Sequence, residues 1–137
     1  MSEIKKILSP FWFFTPLDSD TPPQPIATIA QNSSATVLTG SLPINTEGEV
    51  AYIGVDYLSN NGDNDLTFNI LRDDTIVSTM SQKYFFQSFP NLIPIRLGLP
   101  NKTVLKVNVY NKSALTTHRI KMVVTGYYWY LGEGGGK

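Results

Sequence analysis

From Ile26 onward, apolar residues recur every second position in short runs, and each run is closed by Gly, Asn, Asp or Pro. Alternation with a period of two marks strands with one buried face. Leu66, Phe68 and Ile70 alternate with Thr67 and Asn69. In Val104–Asn111, Leu105, Val107, Val109 and Asn111 share one face; Lys106, Asn108 and Tyr110 share the other with Val104. A long last strand runs from His118 to Tyr130: Ile120, Met122 and Val124 fall on one face, Lys121, Val123 and Thr125 on the other. Beyond Gly126, Tyr127, Trp129 and Leu131 take one parity and Tyr128 and Tyr130 the opposite one.

Further strands are expected over residues 26–30, 36–44, 50–58, 75–80 and 92–97. Gly40 marks an irregularity in the second of these, and Pro94 makes the last an edge strand or a bulged one. Asn45–Glu49, Ser59–Asn64, Asp73–Asp74, Gly98–Lys102 and Asn111–Ala114 read as turns. No run of ten or more residues in this region has helical periodicity. The pattern therefore predicts an all-β domain of eight to nine strands, residues 26–131, built as a two-sheet antiparallel sandwich or a closed barrel. Among sandwiches a jelly-roll order fits the strand count, with an immunoglobulin-like connection open.

Residues 1–25 break the pattern. Ile4, Ile7 and Leu8 suit one side of a short helical turn. Phe11, Trp12, Phe13 and Phe14 follow in a row, then a stretch without period that holds Pro22, Pro23 and Pro25. Those prolines favour an extended path. The aromatics either cap an open end of the chain's own core or form an arm that docks on a neighbouring subunit. Large rigid rings suit such docking. We take residues 1–25 as an arm, with Phe11, Trp12, Phe13 and Phe14 as its anchoring residues. Residues 132–137 are a glycine-rich flexible tail.

Composition narrows the function. Eleven basic and eleven acidic residues cancel, and no basic stripe is present, so a nucleic-acid partner is not expected. The chain has no cysteine, which removes disulfides, thiolate catalysis and cysteine-held zinc. No segment is long and apolar enough for a bilayer. Pro10 and Pro16 interrupt the only candidate for a signal peptide, so none is expected, nor is a membrane partner.

Candidate chemistry is thin. His118, the lone histidine, has no acidic partner set by spacing and reads as a partly exposed polar residue at a strand end. Asp56, Asp63, Asn64 and Asp65 offer oxygen ligands but not the spacing of a calcium loop, and read as a solvated turn. Asp73 and Asp74 are adjacent and would face opposite ways in a strand. Gly134–Gly136 lacks the setting of a phosphate cradle. Asn32, Asn101 and Asn111 begin glycosylation-type triplets that this Asn/Ser/Thr-rich composition produces by chance. No catalytic residue, metal ligand or cofactor is assigned, and the chain is not expected to be an enzyme. A strand with aromatics on both faces, as at Tyr128, Trp129 and Tyr130, is either buried twice or sticky on one side. The sticky face would serve as a subunit contact or as a stacking surface for glycan.

Several phrases carry a resemblance: Gly40–Ile44, Ala51–Tyr57, Asp65–Ile70 followed by Asp73–Asp74, Val107–Ser113 and Lys121–Tyr127. From Ile29 to Trp129, about three-quarters of the chain, the layout resembles small bacteriophage and viral virion β-sandwich structural proteins. Members of that group decorate capsids, cement lattices or sit at vertices, spikes and tail junctions. The resemblance implies a non-enzymatic virion subunit that forms a homo-oligomer, a trimer or a pentamer, and contacts other capsid proteins. It offers no catalytic residues. The alternative is a carbohydrate-binding sandwich module.

Overall fold

The computed structural model describes residues 7–57, 64–86 and 92–132. Nine strands and one short helix follow the chain: β1 Ser9–Phe14, β2 Ala27–Ile29, β3 Ser33–Ser41, β4 Thr46–Tyr57, β5 Leu66–Arg72, β6 Thr75–Ser81, α1 Gln82–Phe86, β7 Leu92–Leu99, β8 Val104–Asn111 and β9 His118–Tyr130. They form two antiparallel sheets packed as a sandwich. The larger has the order β1-β9-β4-β7, with β2 also on β9, and the smaller the order β3-β8-β5-β6. The pairing is nested: β1 with β9, β3 with β8, β4 with β7, and β5 with β6.

Alternation places the core. Leu105, Val107 and Val109 of β8 and Leu66, Phe68 and Ile70 of β5 point inward against Ile120, Met122 and Val124 of β9 and Val50, Ile53 and Val55 of β4. The Asp73–Asp74 turn has positive φ at both residues, 50° and 66°. That is the two-residue geometry whose twist suits a hairpin. Pro94 lies on the edge strand β7, opposite Tyr52 and beside a register shift in β4, where a missing N–H leaves no ladder bond unmade.

Three expectations change. The irregularity in β3 falls between Thr36 and Leu38, and it turns both Val37 and Leu38 into the core. Gly40 is in regular register, and its missing side chain makes room for another residue: a Cβ there would lie 2.4 Å from the ring of Phe13. Residues 82–86 form a helix too short to show a period. It drops Phe85 into the core, where its ring meets Phe68 at 4.8 Å between centroids. The third change concerns residues 1–25. Ser9–Phe14 is the outer strand of the larger sheet, paired along Val123–Tyr128, so the chain from Ser9 on belongs to the sandwich. Most of the expected turn at 59–64, and residues 1–6, 87–91 and 133–137, lie outside the described residues.

β1 and β2 both run along β9, and residues 15–26 loop out between them. The loop leaves at Thr15, whose N–H donates to Met122 O and whose hydroxyl accepts from Met122 N–H. It closes on Asp18, whose carboxylate accepts from the N–H of Gln24 at 2.9 Å and of Asp20 at 3.1 Å. The Gln24 N–H, and then that of Asp20, hold this carboxyl below an ordinary aspartate's 3.8. A lowered folded value means that the loop is tied above that pH and released as acid drives the carboxyl through its own lower value. Hydrogen exchange should show the Gln24 amide losing protection only below about pH 4. Unchanged protection after Asp18→Ala would disprove the tie.

Candidate binding face

The outer surface of the larger sheet collects side chains from four strands. β1 contributes Pro10, Trp12 and Phe14, and β9 contributes Lys121, Val123, Thr125, Tyr127 and Trp129. Register sets the rows. Trp12, Thr125, Tyr52 and Pro94 lie side by side across the sheet, and so do Phe14, Val123, Gly54 and Leu92. Pro10, Tyr127, Glu49 and Gly98 form the next row. Trp12 is 56% exposed, Phe14 59%, Tyr127 47% and Tyr52 43%, so the face presents aromatic rings to solvent. Contiguous exposed apolar surface of this kind marks a contact site.

Two hollows interrupt it. One, of about 270 Å³, lies over Gly54 and is walled by Phe14, Leu92 and Val123, with Lys121 and Asp56 at its rim, 4.0 Å apart. The other, of about 260 Å³, lies at the opposite end of the face, between Glu47, Glu49, Gly98, Pro100 and Trp129. Arg72 reaches it from β5 and donates to Gly98 O at 2.9 Å.

The four expected anchors divide by parity. Trp12 and Phe14 are on the outer face. Phe11 is buried and Phe13 packs against the core, their rings 4.8 Å apart. Of the last-strand aromatics, Tyr128 packs against the core and meets Tyr130 edge-on at 5.9 Å, while Tyr130 is exposed beyond the core's end. Trp129 lines the second hollow. Tyr127 and Tyr52, aromatics that suit sugar stacking by type alone, are placed beside Trp12 only by register, since nothing in the spacing of β1, β4 and β9 ties them together.

Comparison with protein-family models, curated proteins and solved structures finds no match.

His118 departs from the expected exposed residue. Its imidazole is fully buried, and Nε2 donates to Asp65 Oδ2 at 2.9 Å, a carboxylate being able only to accept. Gln82, also buried, accepts through Oε1 from the N–H groups of Asp65 and Leu66. His118 Nδ1 and Gln82 Nε2 have no hydrogen-bond partner among the described residues. The pair of His118 and Asp65 fastens the start of β5 to the start of β9. Asp65 is correspondingly drawn out of the expected solvated turn. Among the described residues no three metal-ligating side chains gather, and no helix is long and apolar enough to cross a membrane.

Proposed function

We propose that this protein is a non-enzymatic structural subunit of a viral particle, and that the aromatic part of the outer sheet face is its contact with neighbouring copies. The observation that carries this is the patch of Trp12, Phe14, Tyr52 and Tyr127, four exposed rings in three adjoining rows on one face of one sheet. Left to water, such a surface is a liability for a free subunit. The charges around it favour a copy of the same chain over a partner of one sign. Lys121 is paired with Asp56 and Arg96 with Glu49, and the whole chain is formally neutral. Closed homo-oligomers are the common outcome of such self-contact.

The nested strand pairing supports the jelly-roll reading of the sandwich, in which first and last strands pair and the hairpin rolls up. That architecture carries viral capsid and lectin domains among others, so the fold agrees with the virion role without choosing it. The role itself rests on the face and on the resemblance in the sequence.

Trp12→Ser with Phe14→Ser tests the contact. Both side chains are exposed in the single chain, so the variant should keep its fold, read by circular dichroism. Aromatic anchors at the centre of an interface cost about 2 kcal/mol or more each when truncated. Sedimentation should therefore show the variant shifted toward the 15.2 kDa single chain. An unchanged mass would remove the face from assembly.

A further inference from the structure

The hollow beside Trp129 has a different character from the aromatic patch. β4 places Glu47 and Glu49 two positions apart, so both carboxylates share one face. Register sets Trp129 opposite Glu47, and Gly98 opposite Glu49. Glu49 is held by Arg96 at 3.3 Å, and Arg72 is held by the Gly98 carbonyl at 2.9 Å. Glu47 makes no hydrogen bond or ion pair with the described residues. Above Gly98 the space is open: a Cβ built there meets nothing within 4 Å.

The hollow thus holds one indole, two carboxylates and one guanidinium, with a second guanidinium at its edge. Its formal charges cancel, Glu47 and Glu49 against Arg72 and Arg96, so it offers no net field to an ion. It does offer strong acceptors, strong donors and an aromatic wall within about 260 Å³. A ligand that uses all of these is neutral, has many hydroxyls and has an apolar ring face. Hydroxyls donate to carboxylates and accept from guanidinium, and the C–H face of a ring covers an indole.

We propose that this hollow binds a neutral saccharide, with one sugar ring stacked on Trp129 and its hydroxyls on Glu47 and Arg72. The proposal does not depend on self-assembly through Trp12 and Phe14, which lie elsewhere on the sheet.

Gly98 supplies the test. Because the space above it is empty and it lies on an edge strand, Gly98→Phe fills the hollow without disturbing the core. Calorimetric titration with hexasaccharides of β-1,4-glucose, α-1,4-glucose, mannose and N-acetylglucosamine should find binding by one of them. Gly98→Phe and Trp129→Ala should each weaken that binding by about tenfold or more, while Trp12→Ala leaves it unchanged. Gly98→Val, which suits a strand, serves if the phenylalanine variant melts early. Binding by none of the four, binding only by a sulfated or sialylated sugar, or binding indifferent to a folded Gly98 variant would each overturn the proposal. The mass of the Gly98 variants should equal that of the parent. A parent protein that stays a single chain yet binds one of these sugars would count against the subunit reading and leave the sugar site intact.

Discussion

Removal of residues 1–14 is expected to leave the sandwich marginal or unfolded at room temperature. It should not release an intact domain from an arm. Phe11 is buried and Phe13 packs on the core, each beside a glycine that makes room for it: Gly40 under Phe13, and Gly126 beside Phe11, where a Cβ would come within 2.9 Å of the ring. Burying a side chain of this size is worth about 1.5–3 kcal/mol. Two rings together with the ladder along β9 come to about 5 kcal/mol, the lower end of a typical domain's whole stability. Urea unfolding followed by circular dichroism reads this directly. Phe11→Ala alone should cost about 3 kcal/mol, and the exposed neighbour Trp12→Ala within about 0.5 kcal/mol of nothing. A truncated chain with the parent's midpoint would show that β1 contributes no stability.

Asn111→Leu is expected to have an effect of similar size for a different reason. The side chain is fully buried at the end of β8. Its Nδ2 donates to three carbonyls, Ile29 at 3.1 Å, Ala30 at 3.2 Å and Thr116 at 2.7 Å, and its Oδ1 accepts from Ser113 N–H at 3.0 Å. One amide thereby ties the β2–β3 connection and the 112–117 loop to the smaller sheet. Leucine matches the volume but strands these groups, at about 1–3 kcal/mol for each one left unpaired. The total should reach about 3 kcal/mol or more, measured as a drop in the urea midpoint. Asn111→Asp should fare no better, because a carboxylate has no donor for the three carbonyls. A midpoint within experimental error of the parent would mean that water or a loop shift replaces these bonds. The same burial makes Asn111 unsuitable as a glycan acceptor in the folded protein, whatever its triplet.

The strands that were legible in the sequence are those whose two faces differ. β8 and β9 begin and end where alternation begins and ends, at Val104 and Asn111 and at His118 and Tyr130. The hairpin turn at Asp73–Asp74 and the edge position of Pro94 follow from backbone chemistry that any reader of the chain can apply. β1 was hidden because four aromatics in a row carry no period. Its inward Phe11 and Phe13 and outward Trp12 and Phe14 look alike until the partner strand, more than a hundred residues away, sets the register. Separation in sequence also hid the pairing of His118 with Asp65, 53 residues apart, and the shared row of Trp12 and Tyr52. The second hollow was only half visible. Trp129 stood out as an aromatic at a strand end, whereas Glu47 and Glu49 looked like the polar turn they adjoin.

The account turns on the aromatic patch of Trp12, Phe14, Tyr52 and Tyr127 being covered by a neighbouring copy. Light scattering of the intact protein over a range of concentrations tests this most directly. A defined multiple of 15.2 kDa that persists on dilution is the predicted result. A single-chain mass at every concentration would contradict it.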